Sequence, residues 1–367
     1  MLSVTSQSTC LPGLSPLEST DNATLLIETA FRRYGVEGED VFLALAARCV
    51  QSSHCHARHY EHFQYERGLQ VVDRVAHDRQ VSMLLSRMCD SRDAAYMLPV
   101  WYQYFLGRRF RELSGKFFTP RSVARSMAQL IPIREGCIIC DPTCGGGTFL
   151  TEASFQHPGL ACTLLANDVD KDLAGLTEAI LSITAHQRHT VWVYCSNVYD
   201  NSAFLASHSG RVDAILANPP FSLPLEHVGV SSKLFDKGYR NSDAVFIDVC
   251  LHLLCDGGQL VCLLPHSLIA NADYAEFRAH VEQDWDVRGV IMLPEGTFHR
   301  TANTTTRADI VHLSKKIPKR RYRGKAYFAN APSIGVALNS RDSQGIDNAL
   351  DRTVADIQTR VDGNGVP

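Results

Sequence analysis

The chain reads Val212-Asp213-Ala214-Ile215-Leu216-Ala217-Asn218-Pro219-Pro220-Phe221 at the point that organises the rest of it. The apolar run over residues 212–216 predicts a short buried strand. Each proline that follows fixes its own φ at about −65° and lacks an N–H, and the residue before a proline is held extended. We therefore expect a stiff loop at the carboxyl end of this strand.

The loop presents hydrogen-bond acceptors beside an aromatic face. Pro219 and Pro220 offer carbonyls without backbone donors, and the side-chain oxygen of Asn218 adds a further acceptor. Such a site suits a planar ring with an exocyclic amino group, because two acceptors take the amino hydrogens while the ring stacks on Phe221. The alternative is a proline-rich loop that only ends a strand.

Composition sets broad limits on the class of protein. The 367 residues are 45% hydrophobic and 20% charged, which is typical of a globular chain with one large and one smaller domain. The net charge of −3 argues against a general binder of polyanions. The 12 cysteines lie mostly in apolar runs, which indicates a reducing compartment. With neither a signal-peptide pattern nor a membrane-length apolar run, we expect a cytoplasmic protein without membrane contact.

Four segments follow from the patterning along the chain. Residues 1–20 predict a loose tail, 21–111 a helical domain, 112–315 an α/β domain, and 316–367 a basic linker with a short tail. Within the helical domain the periodicity predicts one long helix over residues 60–88.

A histidine-rich stretch in the helical domain raises the question of a metal site. Cys55, His59 and His62 would share one helical face, which is the geometry that a metal requires. Because no second ligand cluster is apparent, we favour a solvated helix surface and expect no metal.

A glycine-rich turn lies in the α/β domain. The strand over residues 137–140 ends at Asp141 and runs through Thr143 and the glycines 145–147 into a helix. The Walker pattern and the G-x-G-x-x-G spacing are both absent. An acidic residue before the glycines would repel pyrophosphate, so a ligand with a cationic centre fits better.

Polar residues follow four successive strands. Asp141, Asp168, Asn197 and Asn218 each stand at a strand's carboxyl end, the edge where doubly wound sheets bind ligands. Asp168 occupies the position at which nucleotide-type folds hold ribose hydroxyls. Upstream, Thr119 is predicted to cap a helix that begins at Pro120. We predict a doubly wound, Rossmann-like α/β sheet of about seven strands, which an all-helical N-terminal domain precedes in the sequence.

Two segments carry clustered positive charge. Lys233, Lys237 and Arg240 follow the proline loop, and the densest basic run covers residues 315–323. Each is either a phosphate contact or a solvated surface.

Three ordered segments resemble the AdoMet-dependent N6-adenine DNA methyltransferases, above all the modification subunit of type I restriction–modification systems. They are Gly115–Arg121, Asp141–Leu150 and Asn218–Phe221, supported by Gly257–Ser267 and Leu293–Phe298. The likeness covers about residues 112–315 and implies a methyltransferase fold.

The resemblance implies roles for individual residues. S-adenosyl-L-methionine would be held along the strand ends, its methionine part at Phe118-Thr119-Pro120 and its amino-acid end at Asp141, Thr143 and the glycines Gly145 and Gly147. Asp168 would hold the ribose. Asn197 would lie near the cofactor adenine, where the family more often has Asp. Asn218, Pro219, Pro220 and Phe221 would bind a target adenine flipped out of double-stranded DNA.

The resemblance also implies partners. No segment is long enough for a target-recognition domain, so we expect a separate specificity subunit, with a restriction subunit as a further partner. Two alternatives stay open at this point. One is methyl transfer to RNA guanine N2 or to a protein glutamine, although the segment at Phe118 before the glycine turn favours DNA adenine. The other is a non-catalytic scaffold that binds AdoMet or DNA.

Overall fold

A computed structural model describes residues 16–53, 60–89, 94–112, 118–298, 307–320, 324–335 and 347–362. The chain divides into two compact units. The first comprises Met1–Tyr60 and Gln64–Glu112, and the second comprises Glu61–Phe63 and Leu113–Pro367. In the described residues, no helix is both long and apolar enough to span a membrane.

The first unit is built of helices, as predicted. They are α1 (Pro16–Arg32), α2 (Glu39–Ser52), α3 (Tyr65–Val75), α4 (Arg79–Cys89) and α5 (Ala94–Glu112). Phe31, Leu45 and Trp101 are among its buried side chains. Helices α2 and α3 cross closely at Gly68, where an added Cβ would lie 2.4 Å from the carbonyl oxygen of Leu43.

The predicted single helix over residues 60–88 is wrong, because the chain turns between α3 and α4. Asp78 accounts for the break. Its Oδ1 accepts hydrogen bonds from the backbone N–H groups of Gln80 (2.8 Å) and Val81 (3.2 Å), which caps the start of α4.

The histidine-rich stretch is described only in part. Cys55 and His59 lie outside the described residues, whereas Nε2 of His62 lies 3.1 Å from the carbonyl oxygen of Val193. Among the side chains that the structure describes, no group of three or more His, Cys, Asp or Glu could hold a metal ion.

The second unit alternates strands and helices along most of its length. Its strands are β1 (Ile138–Asp141), β2 (Thr163–Asp168), β3 (Thr190–Cys195), β4 (Val212–Ala217), β5 (Leu254–Pro265), β6 (Trp285–Met292), β7 (Ala308–Lys315) and β8 (Tyr327–Asn330). Its helices are α6 (Arg121–Gln129), α7 (Thr148–Gln156), α8 (Lys171–Thr184), α9 (Ala203–His208), α10 (Lys233–Asp236), α11 (Ser242–Leu253), α12 (His266–Ala270), α13 (Ala275–Asp284) and α14 (Ala349–Asp362).

The strands form one sheet in the order β3-β2-β1-β4-β5-β7-β6-β8. The five neighbouring strands β3, β2, β1, β4 and β5 pair in parallel, and β7 is antiparallel to both of its neighbours, β5 and β6. This is the predicted doubly wound architecture with eight strands instead of seven. The additional strand β8 pairs in parallel with β6 and comes from the segment expected to be linker and tail. Four residues of mixed polarity are too short a pattern to predict a strand.

Two hydrophobic layers cover the faces of the sheet. In β4, Ala214 and Leu216 face the layer that contains α6, α7 and α14, whereas Ile215 and Ala217 face the layer that contains α11 and α13. Because both faces are buried, strand β4 is apolar after the half-buried Asp213 near its start, and its next polar side chain comes at its carboxyl end.

Helix α6 begins one residue later than predicted. Its first helical residue is Arg121, Pro120 occupies the N-cap position, and no side chain caps the helix. The C-terminal helix α14 packs beside α6, where Asp351 accepts a hydrogen bond from Ser126 (2.6 Å) and pairs with Arg125. Thr119, two residues before α6, bonds the side chain of Asn218, so the N-terminal end of α6 lies at the sheet edge that carries Asn218.

Candidate active site

The parallel strands bring the predicted polar residues to one edge of the sheet. The order β3-β2-β1-β4 makes the strand ends at Asp168, Asp141 and Asn218 successive neighbours, with Asn197 following β3. A hydrogen bond links the glycine turn to the proline loop, because Oγ1 of Thr143 donates to the carbonyl oxygen of Asn218 at 3.5 Å. The two segments singled out by the sequence therefore share one site.

Asp141 is a completely buried carboxyl group with an open acceptor. Its Oδ1 accepts the N–H of Thr143 at 3.2 Å, while its Oδ2 has no partner in the described part of the chain. Burial raises the pKa of this carboxyl well above its usual range; the Thr143 N–H opposes the shift and the nearby charge of Asp168 adds to it. A cationic ligand group would satisfy the open oxygen and favour the ionised form.

The glycine turn has a backbone shape that other residues adopt at a cost. Gly145 and Gly147 have φ values of 51° and 66°. An added Cβ on Gly147 would lie 3.1 Å from the Thr177 side chain. The same threonine, which belongs to α8, donates its hydroxyl hydrogen to the Gly145 carbonyl at 2.7 Å. Helix α8 therefore holds the turn in this conformation.

Asp168 joins the end of β2 to the glycine turn. Its Oδ2 accepts the N–H of Gly145 and its Oδ1 accepts the N–H of Asp170, each at 2.9 Å. The side chain is almost wholly buried.

Asn197 is at the predicted edge, but its side chain bonds within its own turn. Its Nδ2 donates to Asp200 at 2.9 Å, and its Oδ1 accepts the N–H of Tyr199 at 3.1 Å. The residue that ties these strand ends together is Asn167. It is fully buried, and its Nδ2 donates to the carbonyls of Pro142 and Ser196, both at 3.0 Å. The sequence signal for this role of Asn167 is its position as a polar residue at the end of an otherwise apolar strand.

Asn218 has one end of its amide bound and the other open. Its Nδ2 donates to Oγ1 of Thr119 at 3.2 Å. Its Oδ1 is buried and has no hydrogen-bond partner among the described residues. Such an atom carries a desolvation cost that a ligand N–H would relieve.

The proline loop is held in place by the start of α11. Ser242 donates its hydroxyl hydrogen to the Pro220 carbonyl at 2.6 Å and accepts the N–H of Leu223 at 3.2 Å. Asp243 accepts the N–H of Ser222, whose φ of 53° lies in the left-handed region. Sequence reasoning missed this support, although the residues Asn241-Ser242-Asp243 before an apolar run are a usual helix-start pattern.

Phe221 is half-buried and meets Phe298 edge to face. Their ring centroids are 6.4 Å apart and their planes are at 86°. Phe298 is fully buried, so it supports the edge of the ring and leaves Phe221 partly accessible. Of the remaining predicted residues, Phe118 is buried directly before Thr119, and Pro219 is buried between Asn218 and Pro220.

A contact between a half-buried histidine and a buried carboxyl group lies on the neighbouring strands and was not predicted. Nδ1 of His266, directly after β5, lies 2.8 Å from Oδ2 of Asp309 in β7. Asp309 is fully buried, and burial raises the pKa of its carboxyl.

The basic run contributes little to this edge. The ammonium group of Lys315 donates to the carbonyls of Leu251 and Leu254, and that of Lys316 to those of Glu282 and Gln283. These lysines therefore hold the C-terminal ends of α11 and α13, at the opposite edge of the sheet from Asn218. Residues 321–323 lie outside the described residues.

Lys233 and Arg240 are also engaged within the chain. Lys233 pairs with Asp284 at 2.9 Å. The Arg240 guanidinium lies over the Phe235 ring at 4.0 Å. The structure thus favours the solvated-surface interpretation for both basic segments in the residues that it describes.

Comparison with known proteins confirms the resemblance. A sequence model of the N-6 DNA Methylase family matches residues 96–359. The methylase subunit of the type I restriction enzyme EcoEI from Escherichia coli is 26% identical over 216 residues, which cover 56% of this chain and 43% of that subunit. The chain thus spans less than half the length of that relative.

Two solved structures share the fold. A class I S-adenosylmethionine-dependent methyltransferase from Listeria monocytogenes matches with a TM-score of 0.59 and 17% identity, over 93% of this chain and 98% of that one. A type I restriction–modification methyltransferase subunit from Streptococcus thermophilus matches with a TM-score of 0.58 and 20% identity, over 81% of this chain and 63% of that one. The predicted methyltransferase fold is therefore confirmed. Because the family's sequence model matches most of the length of this chain, the chain belongs to the N-6 DNA Methylase family.

Proposed function

We propose that this protein transfers a methyl group from S-adenosyl-L-methionine to the N6 amine of adenine in double-stranded DNA. The observation that carries the proposal is Oδ1 of Asn218, which is buried and has no hydrogen-bond partner among the described residues. It lies on the loop that is bonded to the glycine turn. At this position, Oδ1 would accept a hydrogen bond from the target amine next to the cofactor site.

The residues at the strand ends fit this cofactor. Oδ2 of Asp141, which is buried and has no hydrogen-bond partner among the described residues, suits the ammonium group of the cofactor's amino-acid part. The positive φ values of Gly145 and Gly147 shape the turn beside it. Asp168 would hold the ribose hydroxyls, and Phe118 and Thr119 would lie along the methionine part. Asn197 would lie near the adenine part of the cofactor.

The bound cofactor would supply an electrophilic methyl group on a sulfonium centre. Asn218 and the Pro219 carbonyl would accept the two hydrogens of the target amine. Both bonds would make the nitrogen more tetrahedral and free its lone pair, which is otherwise delocalised into the ring. That lone pair would form the new N–C bond as the methyl–sulfur bond breaks, and the methylated amine would lose its extra proton to solvent. The Pro220 carbonyl is already bonded to Ser242, so it serves to hold the loop. Most of the catalysis is then positioning and electrostatics.

The target base must leave the duplex to reach Asn218. Phe221 would stack on the extruded ring, with Phe298 holding its orientation from the side. The rigidity of the loop, set by two prolines and by the hydrogen bonds of Ser242 and Asp243, suits this task because little order remains to be gained on binding.

We further propose that sequence choice comes from a separate specificity subunit, with a restriction subunit as an additional partner. The support is the name of the matched relative, a methylase subunit of a type I restriction enzyme.

The test is modification-aware sequencing of DNA from a bacterial host without adenine methylation that expresses the gene and its neighbours. We expect N6-methyladenine at a defined motif with the wild-type chain and none with Asn218→Ala. Calorimetry should show that both proteins bind AdoMet. Absence of AdoMet binding by the wild-type chain, with and without DNA, would refute the proposal, and methyl label in RNA or protein would favour the alternative substrates.

A further inference from the structure

We propose that Thr119 is a positioning residue that sets the orientation of the Asn218 side chain. This inference rests on the proposed function, and it differs from the role in cofactor binding that the family resemblance implies for Thr119. The hydroxyl oxygen accepts the Nδ2–H of Asn218 at 3.2 Å, across 99 positions of sequence. The opposite end of the same amide carries the open acceptor Oδ1.

The amide needs such a partner because its own torsion is soft. The backbone of Asn218 is restrained by Pro219 and by the bond from Thr143 to its carbonyl. The terminal torsion of an asparagine is broad and roughly two-fold, so backbone rigidity does not define where Oδ1 points. A hydrogen bond to Nδ2 fixes the plane of the amide and directs Oδ1 to the opposite side.

Thr119 is itself firmly placed. It is buried, and Pro120 restricts it to an extended backbone. The Pro120 carbonyl accepts the N–H groups of Val123 (3.0 Å) and Ala124 (3.1 Å), which continues this rigidity into α6.

Two ion pairs hold α6 against its neighbours. Arg121 bonds the buried Glu152 of α7 at 2.8 Å, and Arg125 pairs with Asp351 of α14. The Thr119 hydroxyl is therefore a point fixed to the rest of the second unit, and it transmits that fixed position to Asn218.

The expected consequence is a separation of turnover from cofactor affinity. Thr119→Val keeps the shape of the side chain and removes the hydrogen bond. The acceptor would then sample unproductive directions, and because a misplacement of about 1 Å costs up to about 100-fold in rate, we expect turnover to fall by about 10- to 100-fold. AdoMet affinity should change by less than about threefold, because valine keeps the van der Waals contact that Thr119 would make with the methionine part. Thr119→Ser should recover most of the lost turnover because the hydroxyl returns.

The experiment compares methylation at saturating AdoMet with AdoMet binding by calorimetry. It uses the full chain, co-expressed with the products of its neighbouring genes. Thr177→Val is the matched control, since that hydroxyl supports the glycine turn and its loss should weaken AdoMet binding instead.

A second measurement is independent of activity. Side-chain amide NMR on asparagine-labelled protein should give an ordered Asn218 NH2 group in the wild type and in Thr119→Ser, and a mobile one in Thr119→Val. An Asn218 amide that stays ordered in Thr119→Val overturns the proposal, as does a loss of AdoMet affinity parallel to the loss of turnover. A wild-type chain that binds no AdoMet would refute the proposed function, whereas the NMR result still decides the role of Thr119.

Discussion

The backbone N–H of Gly145 donates to Oδ2 of Asp168 at 2.9 Å, so the glycine turn and the end of the second strand form one unit. The same carboxylate accepts the N–H of Asp170, the residue that caps α8. A single buried side chain therefore holds the turn, the strand and the following helix in register.

Replacing Asp168 by Ala should weaken AdoMet binding by at least about 10-fold. Two backbone donors lose their charged acceptor, and hydrogen bonds to charged groups contribute about 1.5–3 kcal/mol each. Calorimetry with AdoMet measures the effect. Asp236→Ala, which removes an exposed carboxylate from α10, should leave the affinity unchanged. Equal affinities in the two variants would contradict the assignment of Asp168.

Gly147→Ala should lower the free energy of unfolding by about 1–3 kcal/mol, the usual cost of a strained backbone conformation. Gly147 has a φ of 66°, and the new Cβ would press against Thr177 at 3.1 Å. Urea unfolding followed by circular dichroism gives the value. Gly159→Ala is the control, because a Cβ there meets nothing within 4 Å. A Gly147→Ala protein as stable as wild type would show that the turn relaxes freely.

Lys315→Ala should reduce stability without changing DNA affinity. The ammonium group is partly buried and donates to two carbonyls at the C-terminal end of α11, and we expect a loss of about 1–3 kcal/mol. The salt dependence of DNA binding, measured by fluorescence anisotropy, should keep the wild-type slope, because a lost phosphate contact reduces that slope by about one. A reduced slope would instead assign Lys315 to the DNA interface.

His312 should make the protein less stable in acid. Burial lowers its pKa to about 3, and its ring nitrogens bond Tyr327 (2.9 Å) and Gln259 (2.8 Å). The unfolded chain binds a proton below about pH 6.5, whereas the folded chain stays neutral at this site until about pH 3. The free energy of unfolding therefore falls by about 1.4 kcal/mol per pH unit through this window.

The matched comparison is His312→Gln, which cannot take up that proton. Urea unfolding at pH 7, 6 and 5 should give the variant a shallower loss of stability than the wild type, even if it is less stable overall. Parallel pH profiles would show that His312 does not control the acid limit.

Much of the fold and part of the site could be predicted because their signals are local. Apolar runs that end in Asp141, Asp168 and Asn218 mark strands and their carboxyl ends, and a run of glycines marks a turn that needs positive φ. A short, mixed-polarity element such as β8 carries no comparable signal, and the single helix expected over residues 60–88 missed the local cap at Asp78.

By itself the sequence determined the doubly wound architecture, the stiff proline loop and the edge on which the polar residues collect. The tertiary structure alone decided which groups meet there: Thr119 with Asn218, Ser242 with Pro220, and Lys315 with the end of α11. The physical reason is that backbone conformation depends on neighbouring residues, whereas a hydrogen-bond partner depends on which strands lie side by side. The order β2-β1-β4 arises only when the whole sheet is assembled.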